Sequence, residues 1–286
     1  MTNCIEVKGL VKQYSLFTLG PVDLTVPAGS IVGLIGENGA GKTTLLKCLL
    51  GINPPTAGEV RLLEREGGER DWESRERIGV VLDECMFSDI LRAADVGAIL
   101  GKTYRHWDQD LFDCTLKRFD LPRNLYLKEF SRGMKMKLSL AAALAHHPSL
   151  LVLDEATSGL DPVVRDELLD ELMAFAAEAD HAILMSSHIT TDLEKAADYI
   201  AYLHRGMLIL FEEKDRLLEE YGRLVCGKAE IGAVDPVYIV GVRRGAYSTE
   251  ALIRDKGAFC RRYPQMTVDP VSLDEIMVFM ERGEQQ

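Results

Sequence analysis

The residues with the clearest chemical meaning are 36–43, with the sequence GENGAGKT. They fit the pattern Gly-x4-Gly-Lys-Ser/Thr, in which the glycines let the backbone bend so that successive N–H groups point at a phosphate. Lys42 can reach the β- and γ-phosphates of a nucleotide, and Thr43 can offer its hydroxyl to Mg²⁺. The run lies directly after an apolar strand-like segment and directly before a helical pattern, so the sequence predicts nucleotide binding.

Two adjacent carboxylates, Asp154 and Glu155, follow the apolar run 150–153. Open parallel sheets place their ligand sites at the carboxyl ends of strands. We therefore expect Asp154 to hold Mg²⁺ and Glu155 to orient or activate an attacking water. The alternative is a pair of surface acids at a strand end. GTP-binding proteins need an Asn-Lys-x-Asp sequence to read the base, and this chain has none, so the expected nucleotide is ATP.

The elements that must position these residues can be read from the hydrophobic pattern. Four short runs are apolar on both faces, which is typical of buried parallel strands, and helical patterns separate some of them. The strand runs are 31–35, 78–82, 150–153 and 182–185, and the helical runs are 43–50, 134–146 and 163–179. This alternation predicts a parallel sheet with helices on both faces. The segment 5–26 instead resembles an antiparallel meander.

Changes in composition divide the remaining sequence. Between residues 94 and 130 the strand signal disappears and charged and aromatic residues become more frequent, which predicts a helical insert. After about residue 210 the pattern changes again, with a helix-like run at 212–220, a strand at 237–242 and a closing helix at 273–282. We expect a main domain at 1–210 with a helical subdomain at about 94–147, and an extension at 211–286.

Composition narrows the class of protein. The formal net charge of −12 disfavours nonspecific binding to nucleic acid or to an anionic membrane surface. The six cysteines are scattered without a Cys-x-x-Cys pair, which is typical of reduced, mostly buried thiols in a cytosolic protein. No secretory h-region is visible, and no apolar run approaches the ~20 residues that a membrane helix needs. Any work at a membrane is therefore expected to go through a partner.

Further motifs follow the phosphate loop in a set order, namely Ser131-Arg-Gly-Met, Asp154-Glu155, Ser158-Gly-Leu-Asp161 and then His188. Their order and spacing resemble the nucleotide-binding domain of ATP-binding cassette (ABC) transporters over roughly residues 3–225. The resemblance implies an α/β fold: a P-loop NTPase core with a parallel sheet, an antiparallel β subdomain at the N-terminus, an α-helical insert and a small C-terminal α/β extension. It also implies ATP and Mg²⁺ as ligands and ATP hydrolysis as the reaction.

The same resemblance implies a role for each motif. Ser131 and Gly133 would bind the γ-phosphate of ATP held by a second subunit, and Asp161 would lie where the two subunits meet. His188 would contact the γ-phosphate beside Glu155, so these two are the expected catalytic residues. A helix start with a serine hydroxyl and free amides is an anion receptor on physical grounds as well.

Tyr14 resembles the aromatic residue that stacks on adenine in this family, and the alternative is an ordinary packed tyrosine. The expected nucleotide-binding residues are Tyr14, Gly36, Asn38, Gly39, Ala40, Gly41, Lys42, Thr43, Thr44, Ser131, Gly133 and Asp161. The expected Mg²⁺ ligands are Thr43, Asp83 and Asp154.

Three residues depart from the family pattern. Arg132 and Met134 stand where glycine and glutamine are usual, and Asp83 stands where a glutamine normally links Mg²⁺ to the membrane subunit. A carboxylate can ligate Mg²⁺ through oxygen, although the neighbouring Glu84 allows the alignment to slip by one residue. Arg132 either adds charge near a phosphate or points to solvent.

Two lysines, Lys135 and Lys137, follow in the first turns of the same predicted helix. They would add positive potential near a bound phosphate. The alternative is that at least one of them belongs to a solvated helix face.

The function implied by the resemblance is that of the ATP-binding and ATP-hydrolysing subunit of a bacterial ABC transporter of the exporter type. Two subunits, identical or different, would sandwich two ATP molecules and drive a separate integral membrane permease from the cytoplasmic face of the membrane, with no nucleic acid as partner. The alternative is a non-transport ABC ATPase that acts on ribosomes or DNA. The extension at 211–286 would either pad the main domain or serve as a regulatory or dimer-stabilising domain.

Overall fold

The computed structural model describes residues 2–63, 65–66, 72–227, 230–245 and 247–282. The chain divides into two compact units, Met1–Phe211 and Glu212–Gln286. The strands are β1 (Asn3–Gln13), β2 (Thr18–Pro27), β3 (Ser30–Ile35), β4 (Ala57–Leu62), β5 (Arg65–Glu66), β6 (Ile78–Val81), β7 (Leu150–Asp154), β8 (Ala182–Ser186), β9 (Tyr199–His204), β10 (Met207–Glu213), β11 (Gly222–Cys226), β12 (Ile239–Arg244), β13 (Thr249–Ile253) and β14 (Val268–Asp269). The helices are α1 (Lys42–Leu49), α2 (Trp72–Glu76), α3 (Ala93–Thr103), α4 (Gln109–Arg118), α5 (Arg132–Leu144), α6 (Pro162–Ala176), α7 (Thr190–Ala196), α8 (Lys214–Glu220), α9 (Lys256–Arg262) and α10 (Leu273–Arg282).

A six-stranded sheet with the order β10-β9-β3-β8-β7-β6 forms the centre of the first unit. The pairs β6–β7, β7–β8, β3–β8 and β3–β9 are parallel. Every residue of β3, β7 and β8 is buried, because helices cover both faces of a parallel sheet. All four predicted strands are therefore confirmed. The sequence interpretation missed β9, which pairs with β3, and the following β10.

The main helices begin where local capping fixes them. The Ser131 side chain accepts a hydrogen bond from the Met134 N–H at the start of α5, which satisfies one of the free amides of a helix end. Asp161 does the same for α6, and Pro162 occupies the first helical position, where its missing N–H costs nothing. The predicted helices are confirmed, with α6 ending three residues earlier than the predicted 163–179.

The N-terminal segment and the insert also follow the predicted pattern. An antiparallel sheet with the order β2-β1-β4-β5 contains the predicted meander. The predicted insert at 94–130 contains α3, α4 and a short 3-10 turn at Leu127–Glu129, and α5 follows it. Within that span no strand occurs among the described residues.

The second unit contains an antiparallel sheet with the order β12-β13-β11-β14, together with α8, α9 and α10. Its small core contains buried apolar side chains from the sheet and from α9, among them Leu224, Val242 and Phe259. Two predicted boundaries are wrong here. Residues 212–213 end β10, so the charged helix begins at Lys214, and residues 236–238 form a 3-10 turn before β12 because Pro236 sits at its start. The closing helix at 273–282 is confirmed.

Candidate active site

Three neighbouring strands carry the predicted catalytic motifs to one edge of the central sheet. In the parallel registers, Ser186 on β8 pairs with Leu34 on β3 and with Asp154 on β7. The phosphate loop follows β3, the two carboxylates stand at the end of β7, and His188 follows β8. Because parallel strands end at the same edge, all three segments meet there, as the sequence predicts.

The phosphate loop wraps tightly against the strand next to it. Gly36 has a φ of +156°, and a Cβ at this position would lie 2.2 Å from the backbone oxygen of Leu203, so only glycine fits. The side chain of Lys42 is 6 % exposed, and its Nζ donates to the backbone oxygens of Gly36 at 2.7 Å and Glu37 at 3.3 Å. A buried ammonium needs such partners because desolvation of an unpaired charge is costly. Thr43 is exposed at the start of α1.

Glu155 lies between the lysine of the loop and the histidine that follows β8. Its Oε1 is 3.4 Å from Lys42 Nζ, and its Oε2 is 2.6 Å from His188 Nδ1. The backbone N–H of His188 donates to the same Oε2 at 3.3 Å. Glu155 also has a φ of +51°, a conformation that non-glycine residues adopt rarely and that persists where surrounding contacts hold it. The structure thus brings Lys42, Glu155 and His188 into one group.

Ser186 holds the two carboxylates in place, and the sequence interpretation missed it. Its hydroxyl donates to Asp154 Oδ1 at 2.6 Å and accepts from the backbone N–H of Glu155 at 3.0 Å. That same N–H also donates to the Ser186 backbone oxygen at 3.1 Å. The sequence did contain one signal for this role. Ser186 is a polar residue at the end of the otherwise apolar β8, and the last residue of such a strand lies at the ligand edge of the sheet.

The two other oxygen donors predicted for Mg²⁺ have different surroundings. Asp154 is buried and bonded to Ser186, whereas Asp83 is half exposed and pairs with Arg132. The sequence predicted that Arg132 either lies near a phosphate or points to solvent, and neither prediction included an ion pair with Asp83.

The lysines that follow Arg132 on α5 are paired as well. Lys135 Nζ is 2.6 Å from Asp89 Oδ1, and Lys137 Nζ is 2.5 Å from Glu167 Oε2. Neither side chain therefore lies on a freely solvated helix face, and each predicted positive charge has a local counter-charge. The two lysines were expected to add positive potential near a bound phosphate, and the neighbouring carboxylates reduce that potential.

The residues predicted to serve a second subunit lie at the surface of the first unit. Ser131 and Asp161 are exposed, and each caps its helix through its side chain. Among the described residues, neither of them hydrogen-bonds to the group formed by Lys42, Glu155 and His188. Gly133 lies near Leu160 and Val164, so the start of α5 packs against the loop before α6.

Tyr14 is 43 % exposed, which argues against an ordinary packed tyrosine. Its hydroxyl accepts a hydrogen bond from Asn53 at 3.4 Å, and Lys12 Nζ lies 5.6 Å from the ring centroid. In the phosphate loop, Asn38 and Gly39 are exposed.

A second residue missed by the sequence interpretation is Asp192 on α7. Its side chain is buried in this short helix, and its Oδ2 has no hydrogen-bond partner among the described residues. Burial raises the pKa of this carboxyl, while the Thr157 hydroxyl and the charges of Arg165 and His188 act against the rise.

Comparison with known proteins agrees with this geometry. The family model described as "ABC transporter" matches residues 19–158. The lantibiotic transport ATP-binding protein SrtF of Streptococcus pyogenes is 35% identical over 216 residues, which cover 74% of this chain and 91% of that protein. The bacitracin transport ATP-binding protein BcrA of Enterococcus faecalis is 34% identical over 212 residues, which cover 73% of this chain and 69% of that protein. The Nod factor export ATP-binding protein I of Rhizobium sp. (strain N33) is 30% identical over 274 residues, covering 93% and 86%.

Solved structures share the fold. The structure of an ATP-binding subunit of an ABC transporter superposes with a TM-score of 0.70 at 26% identity, covering 76% of this chain and 92% of that one. A dimeric post-hydrolysis state of the ATP-binding cassette MJ0796, bound to ADP and Pi, gives a TM-score of 0.66 at 23% identity, covering 73% and 98%.

The chain belongs to the ABC transporter family, as an ATP-binding subunit that hydrolyses ATP for transport. Subunits of this kind dimerise and associate with transmembrane components. In the described part of this chain, no helix combines the length and the apolar character that a membrane crossing would require.

Replacing Ser186 with alanine tests its role in orienting the carboxylates. Loss of its two hydrogen bonds is expected to slow ATP hydrolysis about tenfold, since ~1.4 kcal/mol of transition-state stabilisation corresponds to a factor of ten. ATP affinity should change much less. Ser30→Ala is the matched control, because Ser30 is also buried but donates to Pro27 at the opposite end of β3. An unchanged rate in Ser186→Ala would contradict the assignment.

The raised pKa of Asp192 predicts a pH-dependent effect of Asp192→Asn on stability. In the folded chain this carboxyl keeps its proton to higher pH than in the unfolded chain, so ionisation costs stability as the pH rises from the ordinary carboxyl value through the raised one. Asparagine cannot ionise and avoids this loss. The melting temperature of the variant minus that of the original chain should therefore increase with pH in that window and then level off. Asp110→Asn, at an exposed position, should show no such trend, and a flat difference for Asp192→Asn would contradict the account.

Proposed function

We propose that the chain is the ATPase subunit of a bacterial exporter, in which two such subunits sandwich two ATP molecules and drive a separate membrane permease. The observation that carries the proposal is the group formed by Lys42, Glu155 and His188 at the ligand edge of the sheet. The names of the relatives, which refer to bacitracin and lantibiotic transport and to Nod factor export, favour export. We assign the ATPase activity to residues 1–210 and regard 211–286 as an extension of it.

In this proposal the phosphate loop binds ATP. Its backbone N–H groups surround the phosphates, and Lys42 reaches the β- and γ-phosphates from a position that is already fixed by the loop. The other loop residues that take part are Gly36, Asn38, Gly39, Ala40, Gly41 and Thr44. Tyr14, with its exposed ring, stacks on adenine.

The oxygen donors at this edge fit Mg²⁺. The hydroxyl of Thr43 and the carboxylate of Asp154 are the hard oxygen ligands that Mg²⁺ prefers, and Ser186 fixes the orientation of that carboxylate. When bound, the ion would neutralise charge on the β- and γ-phosphates. Asp83 would be a further Mg²⁺ ligand by its place in the sequence. Because it pairs with Arg132, it would have to leave that partner to bind the ion.

Glu155 and His188 carry out the hydrolytic step in this account. Glu155 accepts a proton from, or orients, the attacking water, since its carboxylate is held next to the lysine that reaches the γ-phosphate. His188, bonded to Glu155 through Nδ1, keeps the carboxylate in place and directs the rest of its ring towards the γ-phosphate. A developing negative charge on the phosphoryl oxygens is stabilised by Lys42.

One copy of the chain does not complete the site. Ser131 and Gly133 at the start of α5 are proposed to bind the γ-phosphate of ATP held by the second copy, with Asp161 at the contact between copies. The exposure of Ser131 and Asp161 supports this arrangement, because exposed residues at a helix start remain accessible to another molecule. The dimeric cassette structures show the same fold in pairs.

The permease is proposed to bind at the surface around Asp83 and the insert at 94–130. Large apolar side chains are exposed there, including Met86 at 75 % and Ile90 at 76 %, and Ile99 lies on the exposed side of α3. A cleft of about 200 Å³ lies nearby and is lined by Leu82, Phe87, Tyr104 and His146, among others. Exposed apolar patches of this kind mark contacts with other proteins.

The substitution Glu155→Gln tests the catalytic assignment. The amide cannot take up a proton, so the rate of ATP hydrolysis should fall by a factor of about 10²–10⁴ while ATP binding is kept. With ATP and Mg²⁺ the variant should accumulate as a dimer, measured by size-exclusion chromatography with light scattering. Glu219→Gln, at an exposed position in the second unit, is the control and should behave as the original chain. Hydrolysis at the normal rate by Glu155→Gln would show that the base is misassigned.

Co-purification from native membranes tests the partner. A tagged chain should bring down an integral membrane protein, and the double substitution Met86→Asp and Ile90→Asp should abolish this, because two charges in an apolar contact oppose binding. Leu16→Asp is the control, since Leu16 is also a large apolar residue that is exposed, and it lies between β1 and β2. Recovery of the chain exclusively with ribosomes or nucleoid would overturn the transport assignment in favour of the alternative function.

A further inference from the structure

The two residues that depart most clearly from the family pattern contact each other. Asp83 Oδ1 and Arg132 Nη2 form an ion pair, although the residues are 49 positions apart in the sequence. Both side chains are about half exposed, at 52 % and 50 %. Arg132 is the first residue of α5, and Asp83 follows β6. Each departure therefore supplies the counter-charge for the other.

Arg132 also lies beside a second segment, the loop that precedes α6. A Cβ built on Gly159 would lie 3.2 Å from Nη1, 3.4 Å from Cζ and 3.6 Å from Nε of Arg132. These similar distances indicate that the guanidinium presents its face to the backbone of Gly159. Gly159 has a φ of +68°, so glycine is suited to this position both by its conformation and by the space that Arg132 leaves.

A second ion pair secures the same segment. Lys135, one turn further along α5, binds Asp89, and the Lys128 backbone N–H donates to the Asp89 backbone oxygen at 3.1 Å. The segment 83–89 is thus joined at both ends to the first turn of α5. Between them lies a cleft of about 720 Å³, whose lining includes Asp83, Asp89, Arg132 and Lys135.

The charge at the start of α5 explains the role of the ion pairs made by Asp83 and Asp89. The start of a helix carries partial positive charge, so cations in the first turn are disfavoured there. The first turn of α5 contains no acidic residue, yet Arg132 and Lys135 both lie at this end. Asp83 and Asp89 offset this repulsion. Without Asp83, Arg132 would lose its anchor and would be repelled by the helix start, so its contact with Gly159 would loosen.

We propose that Arg132 is a positioning residue that couples the segment 83–89 to the loop 158–161 by holding Asp83 on one side and the backbone of Gly159 on the other. The roles of these two segments rest on the proposed function, in which 83–89 faces the permease and 158–161 faces the other ATPase subunit. The coupling itself is a property of the single chain. When Asp83 moves, the effect reaches the loop 158–161, at the proposed contact between subunits, only through the guanidinium of Arg132.

Hydrogen exchange on the full chain without nucleotide tests the coupling. The samples are the original chain, Asp83→Asn, Arg132→Gln and the double variant, with thermal unfolding measured to show that each is folded. Asp113→Asn is the control, because Asp113 forms another Arg–Asp pair, at 2.7 Å from Arg123, in which the arginine is also about half exposed.

Asp83→Asn should speed exchange at residues 158–161 about two- to fivefold, the range that a weak exposed ion pair allows. In the Arg132→Gln background the same substitution should add nothing at residues 158–161. Asp113→Asn should leave 158–161 unchanged. The proposal is overturned if Asp83→Asn leaves 158–161 unaffected, or if its effect persists without Arg132. Because no ATP or partner is involved, either outcome is independent of the Glu155→Gln result.

Discussion

The parallel register of three strands is the constraint on which the rest of the site depends. Ser186 pairs with Leu34 on one side and with Asp154 on the other, so β3, β8 and β7 end together. A shift of one residue would turn every side chain at the strand ends to the opposite face. Because every residue of these strands is buried, such a slip would require the closely packed side chains on both faces of the sheet to be rearranged.

This register brings together charges that would otherwise be costly. Lys42 is buried at the phosphate loop, and its neighbours are two backbone oxygens and the carboxylate of Glu155. A buried cation is tolerated only with such partners. The same group that stabilises the lysine also holds Glu155 beside His188, so the electrostatic requirement of the fold and the geometry needed for phosphoryl chemistry coincide.

Much of this could be predicted from the sequence because the signals are local. Apolar runs predicted the four central strands, and the residues 36–43 predicted the phosphate loop. What could not be predicted depends on contacts between distant residues. Arg132 and Asp83 each read as an isolated departure, and only the fold shows that they are partners. Ser186 carried a weak signal, and nothing in the sequence distinguished Asp192, which stands out only by its burial in the fold.

The errors in the second unit have a similar origin. The charged run at 212–220 fits a helix by composition, but its first two residues complete β10, which pairs with the preceding strand β9. Local propensity is a weak guide where a strand is recruited by its neighbour. The missed β9 is a further case, because its place in the sheet depends on its parallel pairing with β3.

The central claim is that each nucleotide site is completed by a second copy of the chain. The most direct measurement is a structure of the Glu155→Gln chain with ATP and Mg²⁺. The account predicts a dimer in which the γ-phosphate beside Lys42 of one copy accepts a hydrogen bond of about 2.7–3.2 Å from Ser131 of the other. A γ-phosphate contacted only by residues of its own copy, or a dimer joined through a face that excludes Ser131, would contradict it.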